Sequence, residues 1–290
     1  MIGSAPDTAA DFTIEQNWRG YSEAEHAIWR LLFERQQKLL VGRACEEYLD
    51  GLGALGVAAG GIPDFRRLSD ALERATGWRI IAVPGLVPDA VFFAHLARRR
   101  FPSTCFIRRR DQLDYLQEPD VFHDICGHVP LLMNPLFADY MQAYGEGGLR
   151  AVRLRAIQRL ARLYWHTVEF GLIRSPEGLR IYGAGIVSSH GESVYALDDP
   201  KPPRVAFDRV SAWSIDSIAR PPVCSFSRAL GWPSRAYPRS SGTTRCSGAT
   251  SPSPPATCRR APCAAPSSKT VATGCGGPRA GLPRPARAKR

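Results

Sequence analysis

The 290-residue sequence changes character near position 207, and any packed fold must be encoded almost entirely before that point. From Asp208 onward there are 14 Lys and Arg against two acidic residues, Asp208 and Asp216, and no Glu. The same stretch holds 12 of the 24 prolines and five of the eight cysteines. Segments such as SPSPPATCRRAPCAAPSS carry neither helical nor strand periodicity. They cannot bury enough apolar surface to offset chain entropy, so 208–290 is expected to be a disordered tail. A net charge of +11 would by itself suggest a nucleic-acid or membrane partner. That charge belongs to the tail, since 1–207 holds 24 basic and 25 acidic residues. The tail has no RNP, zinc-finger or helix-turn-helix pattern, so no nucleic-acid partner is expected. No run of about 18 apolar residues exists, so no membrane span is expected. Met1–Asp11 lacks the pattern of a signal peptide. Cys45, Cys105 and Cys126, the cysteines of the front segment, show no zinc-ribbon or redox spacing. A monomer in the reducing cytoplasm is the expectation.

The front segment reads as mainly α, with a few short strands. Ser22 and Glu25 form a capping-box signature that opens an amphipathic helix to about Leu49. Asp64 caps a second helix, which Gly77 stops. Trp78–Val83 is predicted as a strand, Val91–Leu96 as helix and Thr104–Ile107 as extended. A helix starts near Pro119–Asp120. Asn134-Pro135 forms an N-cap and first-position pair for another, ending at Gly145. Leu149–Ile173 has apolar residues at helical spacing, and Gly178–Ser189 is Gly-rich and β-like.

The chemistry concentrates in Glu118-Pro-Asp-Val-Phe-His123-Asp-Ile-Cys-Gly-His128-Val-Pro. On a straight α-helix, residues five apart point about 140° from each other. His123 and His128 could not then share a ligand, so the helix is expected to end between them, with Gly127 and Pro130 as the break. Glu169 lies late in an apolar helix, beside Tyr164, Trp165, Val168 and Phe170. A carboxylate there is costly to bury unless paired or bound to metal. Two imidazoles and one carboxylate make the facial triad of non-haem iron(II) oxygenases, although ligand type alone also allows zinc. Two plainer readings stand beside this one. The histidine pair could be structural, and Glu169 could pair with Arg162 or Arg108. His166 is a rival ligand that points differently from Glu169.

Three motifs in order then resemble one family. They are His123-Asp-Ile-Cys-Gly-His128-Val-Pro, Tyr164-Trp-His-Thr-Val-Glu169-Phe-Gly-Leu, and Ile181-Tyr-Gly-Ala-Gly-Ile-Val-Ser188-Ser-His-Gly-Glu192. Together they resemble the pterin-dependent aromatic amino-acid hydroxylases, most of all the short bacterial members that act on phenylalanine. The similarity runs from roughly Gln16 to Asp208. It implies a mainly α catalytic domain over 1–207, iron(II) held by His123, His128 and Glu169, and tetrahydrobiopterin or a related tetrahydropterin as co-substrate. It implies conversion of L-phenylalanine and O2 to L-tyrosine. Arg108 matches the arginine that holds the amino-acid carboxylate, and Asp120 matches its partner. Pro119, Trp165, Phe170, Gly185 and Ser188 match the substrate pocket. Gly85, Leu86, Val87, Phe92, Asp124 and Ala161 match the pterin side, with Phe92 as the stacking ring. The alternatives are a tryptophan or other aromatic hydroxylase, or an inactive truncated relative. The resemblance is lost between about Asp208 and Ile218, and a GC-rich gene read in the wrong frame gives a composition like that of the tail.

Overall fold

Helices carry the architecture of the computed structural model, which describes residues 11–206 and 223–226. α1 (Glu23–Leu40) begins at a complete capping box. The Glu25 N–H donates to Ser22 Oγ, and the Ser22 N–H donates to the Glu25 carboxylate. The helix stops at Leu40 rather than Leu49, because Gly42 takes φ 71° and turns the chain. The remainder restarts as α2 (Glu46–Ala54). α3 (Phe65–Thr76) runs as expected from the Asp64 cap to a left-handed Gly77.

β1 (Arg79–Val83) and α4 (Asp89–Leu96) fall close to their expected places. β2 (Arg100–Thr104) lies upstream of the expected Thr104–Ile107 and pairs in parallel with β1, Arg79 opposite Arg100 and Val83 opposite Thr104. Pro102 is tolerated because this sheet has two strands and both are edges.

α5 (Pro135–Arg153) starts at Asn134, whose side chain accepts from the Leu136 and Phe137 N–H groups. It does not end at Gly145. A Cβ at that position would lie 2.4 Å from the Ala97 nitrogen, so the glycine lets the end of α4 press against α5. The single helix expected over Leu149–Ile173 is divided. Arg155 adopts φ 51° after α5, α6 (Ile157–Tyr164) follows, a widened turn occupies Trp165–Glu169, and β3 (Gly171–Ser175) begins directly after it. β4 (Gly178–Ile181) returns antiparallel to β3. Only these four residues of the expected β-like stretch form strand, and α7 (Ala184–Val187) and α8 (His190–Asp198) take over.

β5 (Arg204–Ala206) and β6 (Val223–Phe226) complete a four-stranded sheet of order β4-β3-β6-β5, in which β6 runs parallel to both neighbours. All described residues fall in one compact unit, Met1–Arg235; a second, Ala236–Arg290, lies outside the described residues. Val223–Phe226, where disorder was expected, instead forms β6; the rest of 208–290 falls outside the described residues. Among the described residues no helix is long and apolar enough to cross a membrane.

The core gathers Trp29, Tyr48, Leu72, Trp78, Leu96 and Met141 around the segment that carries the two motif histidines. Val121, Phe122, Ile125 and Val129 of that segment are fully buried, and Trp29 meets Phe122 edge-on at 5.3 Å. Each such side chain contributes about 1.5–3 kcal/mol of burial. The histidines therefore sit on a backbone anchored from beneath.

Candidate metal centre

The helix does not end between His123 and His128. His123–His128 is a π-helical turn, in which hydrogen bonds run from residue i to i+5. Residues five apart then stack on one face, and the two Nε2 atoms come within 3.2 Å without any break. The expected breakers serve elsewhere. Pro130 lies in the 3-10 turn Val129–Met133. Gly127 admits α7, since a Cβ there would lie 2.9 Å from the Ala184 carbonyl oxygen.

Glu169 closes the second widened turn, Trp165–Glu169, also π-helical. Its Oε1 stands 3.1 Å from His128 Nε2 and its Oε2 3.7 Å from His123 Nε2. The three ligand atoms lie within 4.8 Å of one another, and among the described residues this is the one group of three with metal-binding chemistry. Arg108 is committed to Asp120, and His166 is not part of the group. Burial opposes the charge of Glu169. The imidazoles of His128 and His123 and the Gly185 N–H outweigh it and hold the carboxyl below its ordinary value.

Ser188 orients the first histidine. Its hydroxyl donates to the Ala184 carbonyl at 2.7 Å, so its oxygen is left to accept from His123 Nδ1 at 2.9 Å. A proton on Nδ1 leaves the Nε2 lone pair facing His128 and Glu169. Two imidazoles and a carboxylate then face one another at 3–4 Å, an arrangement that suits a divalent cation between them. Gly185 keeps this space open. A Cβ there would lie 3.2 Å from both Glu169 Oε2 and the Phe170 ring.

Asp120, fully buried, joins the centre to Arg108. It accepts from Arg108 Nε at 2.8 Å and Nη2 at 2.9 Å, and from the backbone N–H groups of Arg108 and His123 at 2.9 and 3.0 Å. Burial works against its charge, but the guanidinium prevails and keeps the carboxyl below the usual range. Arg108 gives one further N–H to the Leu113 carbonyl. Two of its five side-chain N–H groups are then left over.

The other expected residues distribute around this centre. Trp165 packs on Phe170 at 5.2 Å. The one hydroxyl hydrogen of Thr104 is shared between the Pro119 carbonyl at 3.2 Å and Asp124 Oδ2 at 3.0 Å. Burial pushes the Asp124 carboxyl above its ordinary value, against His123 and the two donors of Thr104. Phe92, on α4, meets Tyr164 edge-on at 6.1 Å. Gly85, Leu86 and Val87 form the loop between β1 and α4, where Leu86 is exposed, and Ala161 is exposed on α6. Sequence reasoning missed three contributors. Phe101 and Tyr164 both lie against the His128 ring, at 5.1 and 6.0 Å, and Thr104 holds Asp124. Tyr164 had a signal, since it opens the motif that contains Glu169; Phe101 and Thr104 had none.

These features define a family. Residues 8–218 match the model of the biopterin-dependent aromatic amino acid hydroxylases, and the chain belongs to that family. It is 68% identical over 198 residues to a phenylalanine-4-hydroxylase of Ralstonia nicotianae, a match covering 68% of this chain and 63% of that one. It is 61% identical over 206 residues to that of Caulobacter vibrioides, covering 71% and 70%. Among solved structures it resembles the iron- and phenylalanine-bound phenylalanine hydroxylase of Chromobacterium violaceum (TM-score 0.71, 53% identity, covering 77% of this chain and 82% of that one). A second structure from that organism, holding iron(III) and 7,8-dihydrobiopterin, gives a TM-score of 0.71 at 56% identity, covering 76% and 81%.

Proposed function

We propose that the chain is a phenylalanine 4-monooxygenase that forms L-tyrosine from L-phenylalanine with O2 and a tetrahydropterin, at iron(II) held by His123, His128 and Glu169. The observation that carries this reading is the convergence of those three side chains within 4.8 Å, with His123 oriented by Ser188. The iron and phenylalanine held in one structure of the Chromobacterium violaceum enzyme, and the iron(III) and dihydrobiopterin held in another, support the choice of metal, substrate and co-substrate. When bound, iron(II) and the tetrahydropterin supply the activation of oxygen. The protein supplies position. The two unused N–H groups of Arg108 take the amino-acid carboxylate, and Asp120 holds the guanidinium still for that task. Pro119, Trp165, Phe170, Gly185 and Ser188 form the ring pocket. Gly85, Leu86, Val87, Phe92, Asp124 and Ala161 form the pterin side.

The same reading places a monomer in the cytoplasm, consistent with free thiols at Cys45, Cys105 and Cys126. It takes 1–207 as the catalytic unit, incomplete at its C-terminal side, and 208–290 as a segment translated in a shifted frame, which sequencing of the gene tests. The function is tested by iron content and tyrosine formation in the wild type and in His123→Ala. Wild type is expected to bind iron and, with its catalytic unit incomplete, to form tyrosine at a reduced rate, and the variant to lose both. Iron retained at full stoichiometry by His123→Ala, or a wild type that takes up none, would overturn the reading.

A further inference from the structure

A chain of tyrosine rings leads away from the metal centre. Tyr164 stacks on His128 with centroids 6.0 Å apart and planes at 29°. Tyr144 lies 5.2 Å beyond Tyr164, and Tyr140 lies 6.4 Å beyond Tyr144. Tyr144 is almost wholly buried, whereas Tyr140 is only partly so. Phenylalanine would fill the same space without a hydroxyl that needs a partner in the core. Each outer phenol is instead supplied with one. Tyr144 donates to the Leu160 carbonyl at 3.0 Å. Thr167 donates to the Leu163 carbonyl, so its oxygen accepts from the Tyr140 hydroxyl at 3.3 Å. Packing alone does not call for three phenols in sequence, and phenols are far easier to oxidise than phenylalanine rings.

We propose that Tyr164, Tyr144 and Tyr140 form an electron relay that protects the centre when oxygen is activated but no amino acid is oxidised. The proposal rests on the oxygenase reading above. An unused oxygen atom leaves as water only if it receives two electrons and two protons. Each electron comes from the phenol of Tyr140 and passes inward through Tyr144 and Tyr164, while the phenolic proton of Tyr140 goes to solvent. The neutral Tyr140 radical then takes one electron and one proton from a small thiol, which is oxidised to its disulfide after two such events. The protons consumed at the centre enter from water. Without the outward path the oxidising equivalent is left on Tyr164 or falls on the rings of His123 and His128.

The test uses the full iron(II)-loaded chain with tetrahydropterin and oxygen, with phenylalanine withheld, freeze-quenched for electron paramagnetic resonance. A parallel sample receives hydrogen peroxide in place of pterin and oxygen. Wild type is expected to show a tyrosyl radical that small thiols quench. Tyr144→Phe, which keeps the ring, is expected to bind iron as wild type does and to confine the radical to Tyr164, where small thiols no longer quench it. It is also expected to accumulate oxidised Tyr164, His123 or His128 several-fold faster by peptide mass spectrometry. Tyr140→Phe, nearer the edge, is expected to move the radical to Tyr144 and slow its quenching. Failure to bind iron would overturn both the oxygenase reading and the relay. Tyrosine formation from phenylalanine with no radical in either sample, or equal damage in wild type and Tyr144→Phe, would overturn the relay alone.

Discussion

Asp120 shows how a single buried side chain can serve two neighbours at once. Both its oxygens accept from the guanidinium of Arg108, and Oδ1 accepts from the His123 N–H as well. Removing its charge strands a buried cation, which costs about 3–5 kcal/mol. Asp120→Asn is therefore expected to lower the urea midpoint strongly at neutral pH. The sign of the pH dependence follows from the depressed carboxyl value. The native state binds this proton less readily than the unfolded chain does. The stabilisation is complete above the ordinary aspartate value of about 3.9 and is lost as pH falls through the lower native one. Urea midpoints measured down through the acid range should fall more steeply in wild type than in Asp120→Asn; parallel curves would exclude this role. At this scale the three side chains that converge were legible, because a histidine pair and a carboxylate in apolar company are chemically conspicuous. The bond from Ser188 to His123 was not, since 65 residues separate them and a serine near a glycine-rich turn has many uses.

Helix starts were legible where a side chain closes the end, as at Ser22, Asp64 and Asn134. Stops were less so, because a glycine can end a helix or admit a neighbour. Gly145 does the second. Alanine there would gain about 1 kcal/mol in helix propensity. Its Cβ would meet backbone of Ala97 and Leu96 at 2.4 and 2.7 Å, and crowding of that kind costs about 1–3 kcal/mol. Backbone atoms cannot rotate aside, so the cost should win. Gly145→Ala is expected to melt a few degrees below wild type; an unchanged or higher midpoint would show that α4 can shift. The two π turns were hidden for a different reason. Apolar periodicity reports the mean pitch of a helix, and one widened turn barely disturbs it. A five-residue spacing of histidines demands a break only in a uniformly α-helical segment.

For the molecule as a whole, the sequence boundary near 207 separates a part with pattern from a part without it. The frame-shift proposal is decided at this level. A family-like continuation in one of the other two reading frames would support it, and its absence from all three would end it. What composition could not convey is how the front segment distributes its tolerance of change in length. A π turn is an ordinary helix holding one extra residue. Loss of a single codon within His123–His128 or Trp165–Glu169 would let regular pitch return, swinging everything beyond it by about 100° and carrying one of the three converging side chains out of reach. Surface connections such as Gly85–Val87 face no such constraint. Deletions should thus be far rarer in these two short stretches than substitutions at most of their positions, a signature visible in gene lengths rather than in residue identities.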